Sequence, residues 1–145
     1  MTEINFYVSQ HEGIKHRLEI AYKLVNLARQ RHLSIYIYTD NKSTSVALDK
    51  LLWQKDKTSF IPHSIIQEAD DINNFLKNEI KISHDHTPMA DCDYLINLSN
   101  KRPEFFSRFI KMAEVIDASE DILTAGRKRY AFYRDRGYTL QYYQL

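Results

Sequence analysis

Cysteine occurs once in these 145 residues, at Cys92, so no internal disulfide staples the chain. That count fits a reducing compartment. Asp91 and Asp93 flank the thiol in a negative field that disfavours the thiolate, the opposite of an activated nucleophile. Glycine is nearly as scarce, with three residues at 13, 126 and 137. Too few and too scattered to line a phosphate cradle, they leave "SQHEG" (Ser9 to Gly13) where a dinucleotide-binding turn would carry G-x-G-x-x-G, and no G-x-x-x-x-G-K-[ST] occurs anywhere. A surplus of one charge is missing too. The net charge of +1 supplies no global field toward DNA or an anionic membrane, so any basic site must be a local patch. No apolar run approaches the roughly 18 residues of a membrane span, the opening "MTEINFYVSQ" lacks a signal-peptide pattern, and neither end carries a lipidation signal. The expectation is a soluble, cytoplasmic protein with no membrane partner.

Catalytic groups are absent in the same way. His11 and His16 lie five apart and do not share a helix face, while His84 and His86 sit in a polar "HDH" run without further ligands. No Ser/His/Asp arrangement follows from spacing. The sequence therefore predicts no catalytic residue, no metal and no cofactor.

What is present is ordinary globular material, 43% hydrophobic and 27% charged, at a length typical of one domain spanning residues 1–145. "INFYV" (Ile4 to Val8) reads as a strand, followed by Ile14, Leu18, Ala21, Val25 and Ala28 at helical spacing. "LSIYIY" (Leu33 to Tyr38) precedes "NKSTSVALDKLLW", whose Asn/Ser/Thr-rich start suits a helix cap. Three further strands are predicted at Ile80 to Ser83, Tyr94 to Ser99 and Ala113 to Asp117, with helices at "PEFFSRFIK" and from Asp121 to Arg136. The order β-α-β-α-β-β-α-β-α implies an open, mostly parallel α/β sheet with helices on its faces. Gln54 to Ser64 and His84 to Asp93 read as loops, and the acidic stretch between them could hold a short helix.

Two surfaces stand out. "GRKRYAFYRDRGY" (Gly126 to Tyr138) packs five Arg/Lys and four aromatic rings into thirteen residues. On a helix, Leu123, Arg127, Tyr130 and Arg134 form one outward stripe, while Ile122, Ala125, Gly126, Phe132 and Tyr133 gather on an arc suited to packing on the sheet. The stripe is either a solvated side with arginines lying over apolar surface or a grip, and Arg with Tyr grips single-stranded nucleic acid as well as an acidic peptide ending in a ring and a carboxylate. The second surface is "LLWQKDKTSFIPHS". Trp53, the sole Trp, and Phe60, Ile61 and Pro62 are either core plugs or anchors for a protein partner, with roughly 1.5–3 kcal/mol at stake for each large ring buried.

With "NFYV", "LLW" followed by "SFIPH", "DYLINLS" and "GRKRYAFYRDRGY" in that order, the chain resembles, nearly end to end, the chi subunit family of the bacterial DNA polymerase III holoenzyme. The resemblance implies a Rossmann-like α/β domain without a nucleotide site, no catalysis, and an adaptor role. Its implied partners are the psi subunit of the clamp loader, as a heterodimer, and the acidic C-terminal tail of single-stranded DNA-binding protein, with an XPD-like helicase sharing the psi-facing surface in part of the family. Nucleic acid is then touched only indirectly, and direct single-stranded DNA binding by the Arg/Tyr helix is the alternative. By the same resemblance, Trp53, Phe60, Ile61 and Pro62 match psi-facing positions, while Ile116, Arg127, Tyr130, Arg134, Gly137 and Tyr138 match positions around the tail-binding pocket. Leu123 stands where some relatives have a lysine, and the acidic Gln67 to Glu79 stretch replaces a Gly/Pro-rich loop.

Overall fold

Runs of β-branched and aromatic residues set the strands, and the amphipathic segments between them return the chain across the sheet. The computed structural model describes residues 1–55, 63–65, 80–88 and 93–145, with the backbone alone at 53, 55 and 63–65. In chain order the elements are β1 (Glu3–Val8), α1 (Ile14–Gln30), β2 (Ile35–Tyr38), α2 (Lys42–Lys55), β3 (His63–Ile65), β4 (Ile80–Ser83), β5 (Tyr94–Asn97), a 3-10 turn (Phe106–Arg108), β6 (Lys111–Ile116), α3 (Glu120–Asp135) and β7 (Leu140–Gln144). The strands form one seven-stranded sheet in the order β3-β4-β2-β5-β6-β1-β7. Every neighbouring pair is parallel, so both faces need cover.

Alternate residues along each strand serve opposite faces. Ile35, Ile37, Tyr94, Ile96, Ala113 and Val115 pack with Ala21, Leu24, Val25 and Ala28 of α1 and Leu48 and Leu52 of α2. On the other face Ile4, Phe6, Tyr36, Leu95, Met112 and Ile116 pack with Ile122 and Tyr133 of α3 and with Phe105, Phe106 and Phe109. The Asn/Ser/Thr-rich start of α2 is a cap, as its composition suggests: Thr44 N–H donates to Asn41 Oδ1 at 2.9 Å.

The structure departs from the sequence reading at three places. "PEFFSRFIK" is not a helix beyond the single 3-10 turn, because Phe105, Phe106 and Phe109 are all drawn into the core and Phe109 is already extended on the way to β6. β3 lies at the end of a stretch read as loop, and β7 pairs with β1 in a segment for which no strand is predicted. The remaining strand boundaries differ by at most two residues, and β4 has the predicted bounds. Phe60, Ile61, Pro62, Cys92 and residues 67–79 lie outside the described residues. Among those described, no helix is long and apolar enough to cross a membrane, and no group of three or more His, Cys, Asp or Glu could hold a metal.

Candidate functional site

The last helix is set on the sheet by two polar anchors and one missing side chain. Where β6 ends, the Asp117 carboxylate accepts Arg17 Nε at 2.8 Å and the Ser119 backbone N–H at 2.7 Å, while Arg17 Nη1 donates to the Leu98 carbonyl at 2.9 Å. Burial alone would raise this carboxyl, but the Ser119 and Arg17 contacts hold it below the usual carboxylate range. Glu120 and Asp121 in the first turn of α3 complement its dipole. Beneath the helix, fully buried Glu114 accepts from Asn97 Nδ2 at 2.8 Å, Arg129 Nε at 3.0 Å and Tyr133 Oη at 2.7 Å. Burial pushes the Glu114 carboxyl up, opposed by Arg129, Tyr133 and Asn97. The Tyr133 phenol is pushed well above its ordinary value by burial and by the Glu114 charge. At Gly126 a Cβ would stand 2.4 Å from Ile116 Cδ1, so glycine is what lets α3 settle directly on β6.

A groove of about 320 Å³ runs along the flank of α3. Its floor is Phe6, Val8 and Ile116, with Leu123, Gly126, Tyr130 and Ala131 on the helix side and Tyr142 on the β7 side. Tyr130 meets Phe6 edge-on, with ring centroids 5.2 Å apart. Arg127 and Arg134 stand at the rim, both exposed. Arg134 Nε lies 3.3 Å from Asp135 Oδ1, with both side chains more than 60% exposed, a contact that neutralises little. Arg127 has no carboxylate at ion-pair distance among the described residues. An apolar slot walled by two phenol rings and rimmed by two fork-shaped cations suits a ligand with a hydrophobic end and a carboxylate. Among the described residues the lining holds no carboxylate, histidine, serine or cysteine.

Of the residues singled out from the sequence for this pocket, Ile116, Arg127, Tyr130 and Arg134 come together here. Gly137 and Tyr138 do not line the groove; they end α3. Gly137, at φ 82°, donates its N–H to the Arg134 carbonyl at 3.0 Å, and Tyr138 N–H reaches the Tyr133 carbonyl at 3.1 Å, the paired bonds of a glycine helix stop. The Tyr138 ring packs on Phe106 and Tyr133. The sequence reading missed Phe6, Val8 and Tyr142, which reach the groove through the parallel register Phe6↔Tyr142 and Val8↔Ile116. Alternation within "INFYV" was the available signal for Phe6 and Val8. Trp53 belongs to α2, but its side chain, like Phe60, Ile61 and Pro62, lies outside the described residues.

Comparison with known proteins places the chain in a family. Residues 1–141 match the family described as "DNA polymerase III chi subunit, HolC". The DNA polymerase III subunit chi of Pseudomonas aeruginosa is 30% identical over 145 residues, covering 100% of this chain and 98% of that protein. The subunit of the same name from Haemophilus influenzae is 27% identical over 123 residues, covering 84% of this chain and 83% of its own. Among solved structures, T4 UvsW superposes with a TM-score of 0.70 at 11% identity, over 99% of this chain and 42% of that one. The chain thus spans less than half of UvsW, and the likeness concerns the α/β fold alone. A family match running from the first residue into β7, joined to full-length relatives of one name, means that this chain belongs to the DNA polymerase III chi subunit family, an accessory component of that polymerase.

Proposed function

We propose that the chain is a non-catalytic replisome adaptor whose α3 groove receives the acidic C-terminal tail of single-stranded DNA-binding protein. The observation that carries this reading is the groove itself, an apolar floor of Phe6, Val8 and Ile116 beneath two exposed arginines. A terminal Phe ring would fill the slot, and its α-carboxylate and the preceding Asp side chains would meet Arg127 and Arg134. Exposed ion pairs contribute only about 0–1 kcal/mol each, so the ring should anchor affinity while the arginines set specificity and salt sensitivity. The second face, at Trp53, Phe60, Ile61 and Pro62, is assigned to the psi subunit of the clamp loader by family resemblance, with an XPD-like helicase as a competing partner there. On this reading the protein works in the cytoplasm and carries no cofactor.

The rival, base stacking on Tyr130 and Tyr138, is disfavoured because Tyr130 is committed to Phe6 and Tyr138 to Phe106 and Tyr133. Fluorescence anisotropy separates the two readings. A labelled acidic peptide ending in Phe should bind saturably and lose most affinity as its C-terminal amide. Arg127→Ala should weaken peptide binding while leaving psi pairing intact. Equal binding of free acid and amide would remove the carboxylate from the mechanism and this reading with it.

A further inference from the structure

The opposite flank of α3 carries a cationic feature that the groove does not use. The guanidinium carbons of Arg102 and Arg136 each lie 3.6 Å from the centre of the Phe132 ring. Two guanidinium groups that close cannot share one ring face without colliding, so they sandwich Phe132. Both arginines are exposed, and among the described residues neither has a carboxylate at ion-pair distance. Arg129 lies one layer down, 6% exposed, with Nε on Glu114 and Nη1 buried without a partner. The Glu114 carboxylate is already shared among Arg129, Tyr133 and Asn97. Two guanidinium groups without a carboxylate partner among the described residues thus flank one ring, on a chain whose net charge is only +1.

The arrangement holds two like charges in a fixed column, which apolar packing of Phe132 does not require. A guanidinium carbon 3.6 Å from a ring centre is at stacking distance, and on an exposed arginine stacking of one flat face on the ring leaves the other face to solvent and the N–H donors in the guanidinium plane. Flat open faces receive bases, and in-plane forks receive phosphates. An acidic peptide would use the forks but leave the flat faces idle. We propose that the Arg102–Phe132–Arg136 column is a short contact site for single-stranded nucleic acid, with bases stacked on the outer guanidinium faces and phosphates on their edges. Phe132 follows Tyr130 by two residues, about 200° around the helix, so the strand lies on the far side of α3 from the groove. A peptide and a strand can be held together, one on each flank.

The test is anisotropy of a labelled oligo-dT with the full chain, as salt is raised from low ionic strength. The wild type should bind saturably, and Arg102→Ala/Arg136→Ala should lose about tenfold in affinity. At about 0.7 per phosphate contact for single strands, the salt slope should fall by about 1.4. Arg102→Lys/Arg136→Lys should keep most of the slope yet bind more weakly, since the charge survives and the stacking column does not. Arg127→Ala/Arg134→Ala should leave oligonucleotide binding unchanged, which separates this site from the groove. Thermal melts of each variant establish that the fold is intact, and the lysine pair carries the test if the alanine pair melts early. The proposal is overturned if the wild type shows no saturable binding at low salt, or if loss follows Arg127 and Arg134 instead. Displacement by an acidic peptide lacking a terminal ring, at equal charge, would make the column a receptor for acidic chains and overturn it as well.

Discussion

The two faces of the sheet are packed by different chemistries. Under α1 and α2 the contacts are largely aliphatic, drawn from Leu, Ile, Val and Ala. Under α3 they are dominated by rings, and Glu114 joins β5, β6 and α3 through Asn97, Arg129 and Tyr133. Aliphatic burial is non-directional and tolerates rotation of a helix about its axis. Three hydrogen bonds converging on one buried carboxylate do not. The face that bears the groove therefore has the packing that fixes helix rotation, and rotation decides that Arg127 and Arg134 face β7 while Phe132 and Arg136 face Arg102. A buried ion pair is a poor source of net stability; its value here is orientation.

The sharpest way to break that contrast is Glu114→Gln, which strands Arg129 in the core and should cost about 3–5 kcal/mol by urea unfolding. Adding Arg129→Met should recover much of the loss, because the uncompensated charge is then gone. On the aliphatic face, Leu24→Ala should cost about 3 kcal/mol, with tail-peptide affinity unchanged in the folded fraction. A Glu114→Gln cost well below that of Leu24→Ala would mean that directional contacts do not dominate under α3. Gly126→Ala should cost about 1–3 kcal/mol, since the added methyl must displace Ile116. It should also weaken peptide binding, because Ile116 is groove floor.

Smaller effects sharpen the picture. Asp117 has a folded-state pKa below its ordinary value of 3.8. Its stabilisation is therefore fully present above about pH 4 and fades as pH falls through the lower folded value. The stability difference between wild type and Asp117→Asn should be constant from pH 7 to about 4 and should shrink below that. A difference that grew on acidification would contradict the assigned direction. Arg127→Ala should change stability by less than about 0.5 kcal/mol, while lowering peptide affinity by no more than about fivefold.

Much of the fold was legible because its signals are local. "INFYV", "LSIYIY", "IKIS" and "YLINLS" announce strands by composition, and α1 and α3 announce themselves by period. β7 was not legible: "LQYYQ" has no β-branched residue, and becomes a strand because the glycine stop at Gly137 sends the chain back beside β1. The rings of "PEFFSRFIK" resembled a helix, yet the tertiary demand to bury all three overrode local preference. At the groove, Arg127, Tyr130 and Arg134 could be read from helical spacing, whereas Tyr142 is a neighbour created by sheet register. Glu114 sits within a run read correctly as a strand, but nothing local shows that its charge is buried against Arg129, fifteen residues on.

The pairing of β1 with β7 also sets an order of events. β1 occupies residues 3–8 and β7 residues 140–144, so β1 waits for β7 before its outer edge is covered. Among the described strand pairings this one closes the longest loop, and sequence-distant contacts form late. During synthesis, β1 and the sheet beside it can assemble while the wall bearing Tyr142 is still missing. A stalled or truncated chain that ends before β7 would therefore lack one side of the groove, so that possession of a complete groove reports that translation has passed β7.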